Sequence, residues 1–227
     1  MSLKIKGWHR IIKWAILAVL VVLFLVFLIR VATFENDYYS GKEGTERAAA
    51  EQNGNTDLDE TKPTDAEVGE YTVAPDRPRY LTVEKLGVGK SRVLPMSLNV
   101  SGELNTPNNI FDVGWYTGSG KPGQGGTIVI DGHNGGPHVH GVFKNLPDLV
   151  EGDIIQIERG DGKIFKYKVA ENKTVDLSEA DKYMSVAQKS PEHGRESVTL
   201  ISCTGEWSQQ QGTYLSRQFT RAILVDE

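Results

Sequence analysis

The 227-residue sequence contains a single cysteine, Cys203, so one chain cannot form an internal disulfide bond. It also lacks an excess of positive charge, because its formal net charge is −5, whereas nucleic-acid-binding proteins usually carry a basic face. Internal repeats are missing as well. These absences exclude a disulfide scaffold and a repeat array, and we expect no nucleic acid among the partners.

Long apolar runs are absent except near the N-terminus. There, four Lys and Arg residues precede sixteen consecutive apolar residues, Trp14 to Ile29. The run approaches the roughly 20 residues that cross a bilayer core, and the preceding positive charge keeps the N-terminus in the cytoplasm. We therefore expect residues 1–34 to form a basic stub and a single transmembrane signal-anchor helix. A cleaved signal peptide is the alternative.

The next segment, residues 35–70, has little that could form a core. It carries eleven acidic and three basic residues and few apolar ones. Such a composition cannot bury enough apolar surface to offset the entropy of ordering. We interpret it as a disordered acidic linker and expect residues 71–227 to form the extracellular folded domain.

The pattern of this domain is β-rich. Short apolar runs alternate with Gly, Pro, Asn and Asp, and "GDG" at 160–162 is typical of a hairpin turn. A helix is predicted at 177–188. Strands at this spacing favour a closed or nearly closed β-barrel. The predicted strands cover 80–86, 91–96, 126–133, 153–159, 164–175, 197–203 and 221–227.

Three residues could together perform nucleophilic chemistry. Cys203 ends the buried run 197–203, and His133 follows the apolar "TIVID" run on a Gly-rich turn. A thiol becomes a nucleophile when a base takes its proton, and an imidazole is a suitable base. Arg221 begins the last apolar run, where a fixed cation could stabilise an oxyanion. The alternative for Cys203 is a buried, inert thiol.

Two further histidines allow a metal-binding alternative. His138 and His140 lie close to His133 in "GHNGGPHVHG", and His-rich tracts can bind metal ions. The segment lacks the Glu–His spacing of metalloproteases. We therefore expect these two histidines to be exposed loop residues.

These motifs resemble those of the sortase family. "TLISC" at 199–203 is similar to the family's TLxTC strand end, "VIDGH" at 129–133 to its histidine strand, and the arginine-led run 221–225 to its final strand. "GWYTGSGKPGQGG" (114–126) and "GVFKNLPDLVEGDIIQIERGDGKIFKYKV" (141–169) are also sortase-like. The resemblance covers the whole predicted domain and is closest to the small class E and F enzymes.

The resemblance implies an eight-stranded sortase β-barrel with short helices and a cysteine transpeptidase. Cys203 would be the nucleophile, His133 the general acid/base and Arg221 the residue that orients substrate and stabilises the oxyanion. The implied substrates are exported proteins with an LPxTG-like sorting signal. The implied acceptor is an amine of a peptidoglycan precursor or a pilin lysine, and no cofactor or metal is implied.

Two departures from the family pattern leave alternatives open. Ser202 stands where sortases usually have Thr, and Arg217 competes with Arg221 for the arginine role. A pilin-polymerising sortase and a catalytically idle barrel that binds peptide or wall polymer are the alternative functions. An L,D-transpeptidase does not fit, because its cysteine follows a Ser/Thr–His–Gly motif that "LISCTG" lacks.

Overall fold

The computed structural model describes residues 58–100 and 102–225. The predicted transmembrane helix in residues 1–34 and the predicted linker up to residue 57 lie outside these residues. Within the described part of the chain, no helix is both long and apolar enough to cross a membrane.

Eight strands form a closed barrel in the order β1–β2–β3–β4–β7–β8–β6–β5, and β5 pairs with β1 to complete it. The β2–β3 and β4–β7 pairs are parallel, and the other pairs are antiparallel. The predicted eight-stranded barrel is therefore confirmed. The strands are β1 (Pro78–Val83), β2 (Val88–Met96), β3 (Val113–Tyr116), β4 (Thr127–Gly132), β5 (Ile154–Arg159), β6 (Ile164–Asp176), β7 (Ser197–Ser208) and β8 (Thr213–Leu224).

Strand β4 is apolar along most of its length because both of its faces are covered. All six of its residues are buried. Ile128 and Ile130 belong to the core cluster that fills the barrel, whereas Val129 belongs to a second cluster on the opposite face. Successive side chains of a strand point to opposite faces, so a strand buried on both sides reads as a continuous apolar run.

The second cluster is covered by the longer helix. Helix α2 (Leu177–Ala187) connects β6 to β7, in agreement with the predicted helix at 177–188. Its Tyr183 and Met184 pack onto the second cluster, and the ring centroids of Tyr183 and Phe219 are 4.9 Å apart. The helix and the outer face of β7 and β8 therefore form one packed unit.

Regular structure begins before the predicted domain boundary at residue 71. Helix α1 (Asp65–Glu70) starts with a capping box, in which the Thr64 hydroxyl accepts from the Glu67 N–H and the Glu67 carboxylate accepts from the Thr64 N–H. This exchange satisfies two of the N–H groups that a helix start leaves unpaired. The predicted disordered linker over 35–70 is therefore wrong for its last thirteen residues, 58–70.

The stretch just before α1, residues 58–61, lies along the barrel, and we call it the N-terminal strap. Asp59 pairs in parallel with Asn109, whose side-chain amide donates to the Asp59 carboxylate at 2.8 Å. The Glu60 carboxylate accepts from the backbone N–H groups of His138 and Val139 at 2.8 and 3.0 Å. The strap thus contacts the loop that follows His133.

Strands β7 and β8 form a hairpin that extends well beyond the predicted strands. β7 continues to Ser208 and β8 begins at Thr213, so the turn lies between them at 209–212. A bulge interrupts the ladder between Thr204 and Trp207, at Gly205 with φ of +84°. The predicted final strand at 221–227 therefore starts too late by eight residues.

Candidate active site

His133 and Cys203 lie at the same end of two neighbouring parallel strands. The β4–β7 register pairs Thr127 with Ser197 and continues to Asp131 opposite Ile201. If the same register is extended by two residues, His133 is level with Cys203. Strands 70 residues apart in sequence thus bring the imidazole and the thiol to one rim of the barrel.

The arginine opposite Cys203 is Arg217. The β7–β8 ladder pairs Cys203 directly with Arg217, so both side chains lie on the same face. The guanidinium is held by the start of its own strand, because it donates to the carbonyls of Tyr214 and Ser216 at 2.9 and 3.1 Å and to the Thr213 hydroxyl at 3.1 Å. A guanidinium has five N–H donors, so two remain for a ligand.

Arg221 occupies a different position, and its predicted placement beside the thiol is wrong. It lies inside β8 opposite Thr199, where it is only 7% exposed. Its guanidinium pairs with the Glu171 carboxylate and donates to the Lys189 carbonyl at 2.9 Å. Tyr183 donates to the same carboxylate at 2.6 Å, so this cluster joins α2 to the barrel.

The ring of His133 is held by one backbone contact. Its Nε2 lies 2.7 Å from the carbonyl oxygen of Pro107. A carbonyl oxygen only accepts, so Nε2 carries the hydrogen and the lone pair of the neutral ring is on Nδ1. Burial lowers the pKa of His133, and the bond to Pro107 partly opposes that shift. The resting imidazole is therefore neutral at pH 7.

The thiol of Cys203 is also neutral at rest. Burial raises its pKa, the positive charge of Arg217 acts in the opposite direction, and the negative charge of Asp131 raises the pKa further. With ordinary His and Cys pKa values, the thiolate–imidazolium pair would be about 1% of the molecules. The shifts at both residues reduce this fraction, so the reactive pair is a minor species.

Asp131 is a titratable residue that the sequence reasoning missed. It is 8% exposed, and one carboxylate oxygen accepts from the Thr106 hydroxyl at 2.6 Å. The other oxygen has no hydrogen-bond partner among the described residues. Burial raises the pKa of Asp131 to about 7. The signal available in the sequence was an Asp inside the apolar run "TIVIDGH". Asp is rarely buried without a partner, and a buried titratable group is often part of a functional site.

Ser202 stands where sortases usually have Thr, and its hydroxyl makes a hydrogen bond. It is buried and donates to the Gly132 carbonyl at 2.9 Å. The bond connects the residue before Cys203 to the residue before His133. The hydroxyl is thus what this position requires, and a serine supplies it.

The metal-binding alternative has no support in the geometry. Among residues 58–100 and 102–225, no three His, Cys, Asp or Glu side chains converge as metal ligands would. His138 Nδ1 instead lies 3.0 Å from the Glu60 carboxylate, with the imidazole largely exposed.

Comparison with known proteins agrees with this architecture. A family model described as a sortase domain matches residues 81–225. Sortase C-1 from Actinomyces oris is 21% identical with a TM-score of 0.50, and the match covers 82% of this chain and 98% of that chain. Sortase C from Streptococcus pneumoniae is 20% identical with a TM-score of 0.49, covering 82% and 88%. A Clostridium perfringens sortase D5 transpeptidase is 21% identical with a TM-score of 0.47, covering 82% and 98%.

The family model defines the class of protein to which this fold belongs. The family model spans the chain from β1 to the end of β8, and the chain belongs to the sortase family. At 21% identity and a TM-score of 0.50, the Actinomyces oris structure shows the fold alone. No curated protein sequence matches the chain. The resemblance to classes E and F stays a prediction.

Proposed function

We propose that the chain is a sortase transpeptidase with Cys203 as nucleophile, His133 as general acid/base and Arg217 as the oxyanion-stabilising cation. The observation that carries the proposal is that β7 pairs with both β4 and β8, so that the end of β4, β7 and β8 bring the three residues together. Arg217 replaces Arg221 in this role because only Arg217 lies opposite the thiol.

The reaction divides into two acyl transfers. The Cys203 thiolate attacks a peptide carbonyl, and the negative charge that develops on the carbonyl oxygen is stabilised by Arg217. When the C–N bond breaks, imidazolium His133 gives its Nδ1 proton to the leaving amine. An acceptor amine then attacks the thioester, His133 takes the amine's proton, and the thiolate leaves.

The proposed substrates are exported proteins with an LPxTG-like sorting signal. Membership of the sortase family, shown by the match over residues 81–225, supports this substrate class. The proposed acceptor is an amine of a peptidoglycan precursor or of another protein. We further propose a single-pass membrane protein with a cytoplasmic N-terminus and an extracellular catalytic domain.

The test uses the full-length chain in detergent, a library of LPxTG-like peptides and an added amine. Mass spectrometry follows the acyl-enzyme and the ligated product. We expect a thioester on Cys203 and an amine-dependent product, both absent in Cys203→Ala and in His133→Ala. Peptide binding without any thioester, at any pH from 5 to 10, would overturn the proposal in favour of an idle peptide-binding barrel.

A further inference from the structure

A buried carboxylate, that of Asp131, lies two residues before His133 and near the end of β4. Within β4, Asp131 shares its face with Val129 of the second cluster, opposite to Ile130 in the barrel interior. His133 follows directly after the strand ends at Gly132. Asp131 accepts a 2.6 Å hydrogen bond from the Thr106 hydroxyl. A short bond from a hydroxyl to a buried carboxylate is among the stronger hydrogen bonds in proteins.

Pro107, the residue after Thr106, connects this hydrogen bond to His133. Pro107 follows Thr106, and its carbonyl is the group that accepts from His133 Nε2 at 2.7 Å. Two successive residues of one loop thus contact two residues of the β4 end. Because Thr106 is held by Asp131, the Pro107 carbonyl has little freedom to move away from the imidazole.

Gly114 of β3 provides the space for this arrangement. It pairs with Asp131 across the β3–β4 ladder. A Cβ atom at Gly114 would lie 2.5 Å from an Asp131 carboxylate oxygen and 3.0 Å from Pro107 Cδ. Any side chain here would therefore displace the carboxylate or the proline, so the local sequence is adapted to this contact.

We propose that Asp131 and Thr106 are positioning residues, which hold the Pro107 carbonyl against His133 and thereby keep the ring hydrogen on Nε2. Nδ1 is then the ring atom that takes and returns the thiol proton. The catalytic part of this inference rests on the proposed function. The hydrogen bond between His133 and the Pro107 carbonyl does not depend on it. Partners that orient a histidine through its other nitrogen fix its tautomer in the same way at metal sites.

The test compares two substitutions of Thr106 in the full-length chain. Thr106→Ser keeps the hydroxyl, whereas Thr106→Val keeps the branched shape and removes the donor. We expect Thr106→Val to lower kcat roughly 10- to 100-fold with little change in KM, as loss of an orienting partner does elsewhere. Thr106→Ser should restore most of kcat.

A spectroscopic measurement distinguishes a loss of His133 ring orientation from a general loss of protein stability. Nitrogen-15 NMR of histidine-labelled protein distinguishes the two neutral tautomers, and the His133 signals are those lost in His133→Gln. We expect a single Nε2–H tautomer in the wild type and in Thr106→Ser, and a mixture in Thr106→Val. If Thr106→Val does not fold, Asp131→Leu/Thr106→Val removes both polar partners together, which avoids an unpaired buried carboxylate.

The possible outcomes are distinct. A single Nε2–H tautomer and wild-type kcat in the folded valine variant or double variant would overturn the inference. A wild type without acyl transfer would instead remove the proposed function, and the tautomer measurement would still decide whether Asp131 and Thr106 position the ring.

Discussion

Cys203 and Arg217 face each other across the β7–β8 ladder, with the guanidinium held in place by two carbonyls at the start of β8. A cation fixed in this way needs no reorganisation when negative charge develops on a substrate oxygen. Such preorganised donors contribute more to catalysis than mobile ones, because they do not have to be reoriented during the reaction.

We expect Arg217→Ala to lower kcat/KM for acyl transfer by about 10²- to 10³-fold, as removal of one oxyanion donor does in other acyl-transfer enzymes. The fold should remain, because the guanidinium hydrogen-bonds to nearby residues of its own strand rather than to the barrel core. Steady-state kinetics with a fluorogenic peptide measures the loss. Arg217→Lys keeps the charge without the planar fork and should recover only part of the activity. Unchanged kinetics in Arg217→Ala would contradict this role.

Arg221 should act on stability instead. Its substitution by Ala leaves Glu171 and the Lys189 carbonyl without their guanidinium partner. We expect the free energy of unfolding to fall by about 2–3 kcal/mol, less than for a fully buried pair because the Glu171 side chain is partly exposed. Urea denaturation measures this loss. A fully stable Arg221→Ala protein with no acyl transfer would return the catalytic role to Arg221.

The pKa of Cys203 can be read from its alkylation, because this thiol is the only one in the chain. Iodoacetamide reacts with the thiolate, so the rate rises with pH, and burial should shift the midpoint above the ordinary Cys value of about 8.5. Asp131→Asn removes a negative charge and should lower the midpoint. Arg217→Ala removes a positive charge and should raise it. Midpoints unchanged from the wild type in both variants would show that these charges do not act on the thiol.

The N-terminal strap should limit the motion of the loop after His133. Glu60→Ala removes the acceptor of the His138 and Val139 N–H groups. We expect both amides to exchange with deuterium several-fold faster, because their protection depends on that carboxylate. Asp65→Ala, in the first turn of α1, is the matched control and should leave this exchange unchanged. Equal exchange in the Glu60 variant and the wild type would show that the loop holds its shape unaided.

The sequence predicts most strands correctly because apolar runs bounded by turn residues mark them. β4, β5 and β6 agree with their predicted ranges to within about one residue. The start of β8 could not be predicted in this way. Four of its first six residues are polar, and buried Gln218 and Thr220 hydrogen-bond to the Asn172 side chain.

The missed strand start explains the choice of arginine. If β8 began at residue 221, Arg221 would lead the strand; since β8 begins at Thr213, the ladder pairs Arg217 with Cys203. The hairpin register depends on the turn at 209–212 and on the bulge at Gly205. Composition alone does not fix either feature. Cys203 and His133 were easier to select, because each follows a buried apolar run directly.

The parallel pairing of β4 with β7 determines when the candidate active site can assemble during synthesis of the chain. His133 is synthesised first, the thiol 70 residues later, and β8 must still follow before Arg217 can take its place beside β7. The β4–β7 pairing joins segments 70 residues apart, and such contacts form slowly, whereas β8 follows β7 through a short hairpin. A nascent polypeptide whose β8 is still inside the ribosome therefore carries Cys203 without the cation that we propose for acyl transfer.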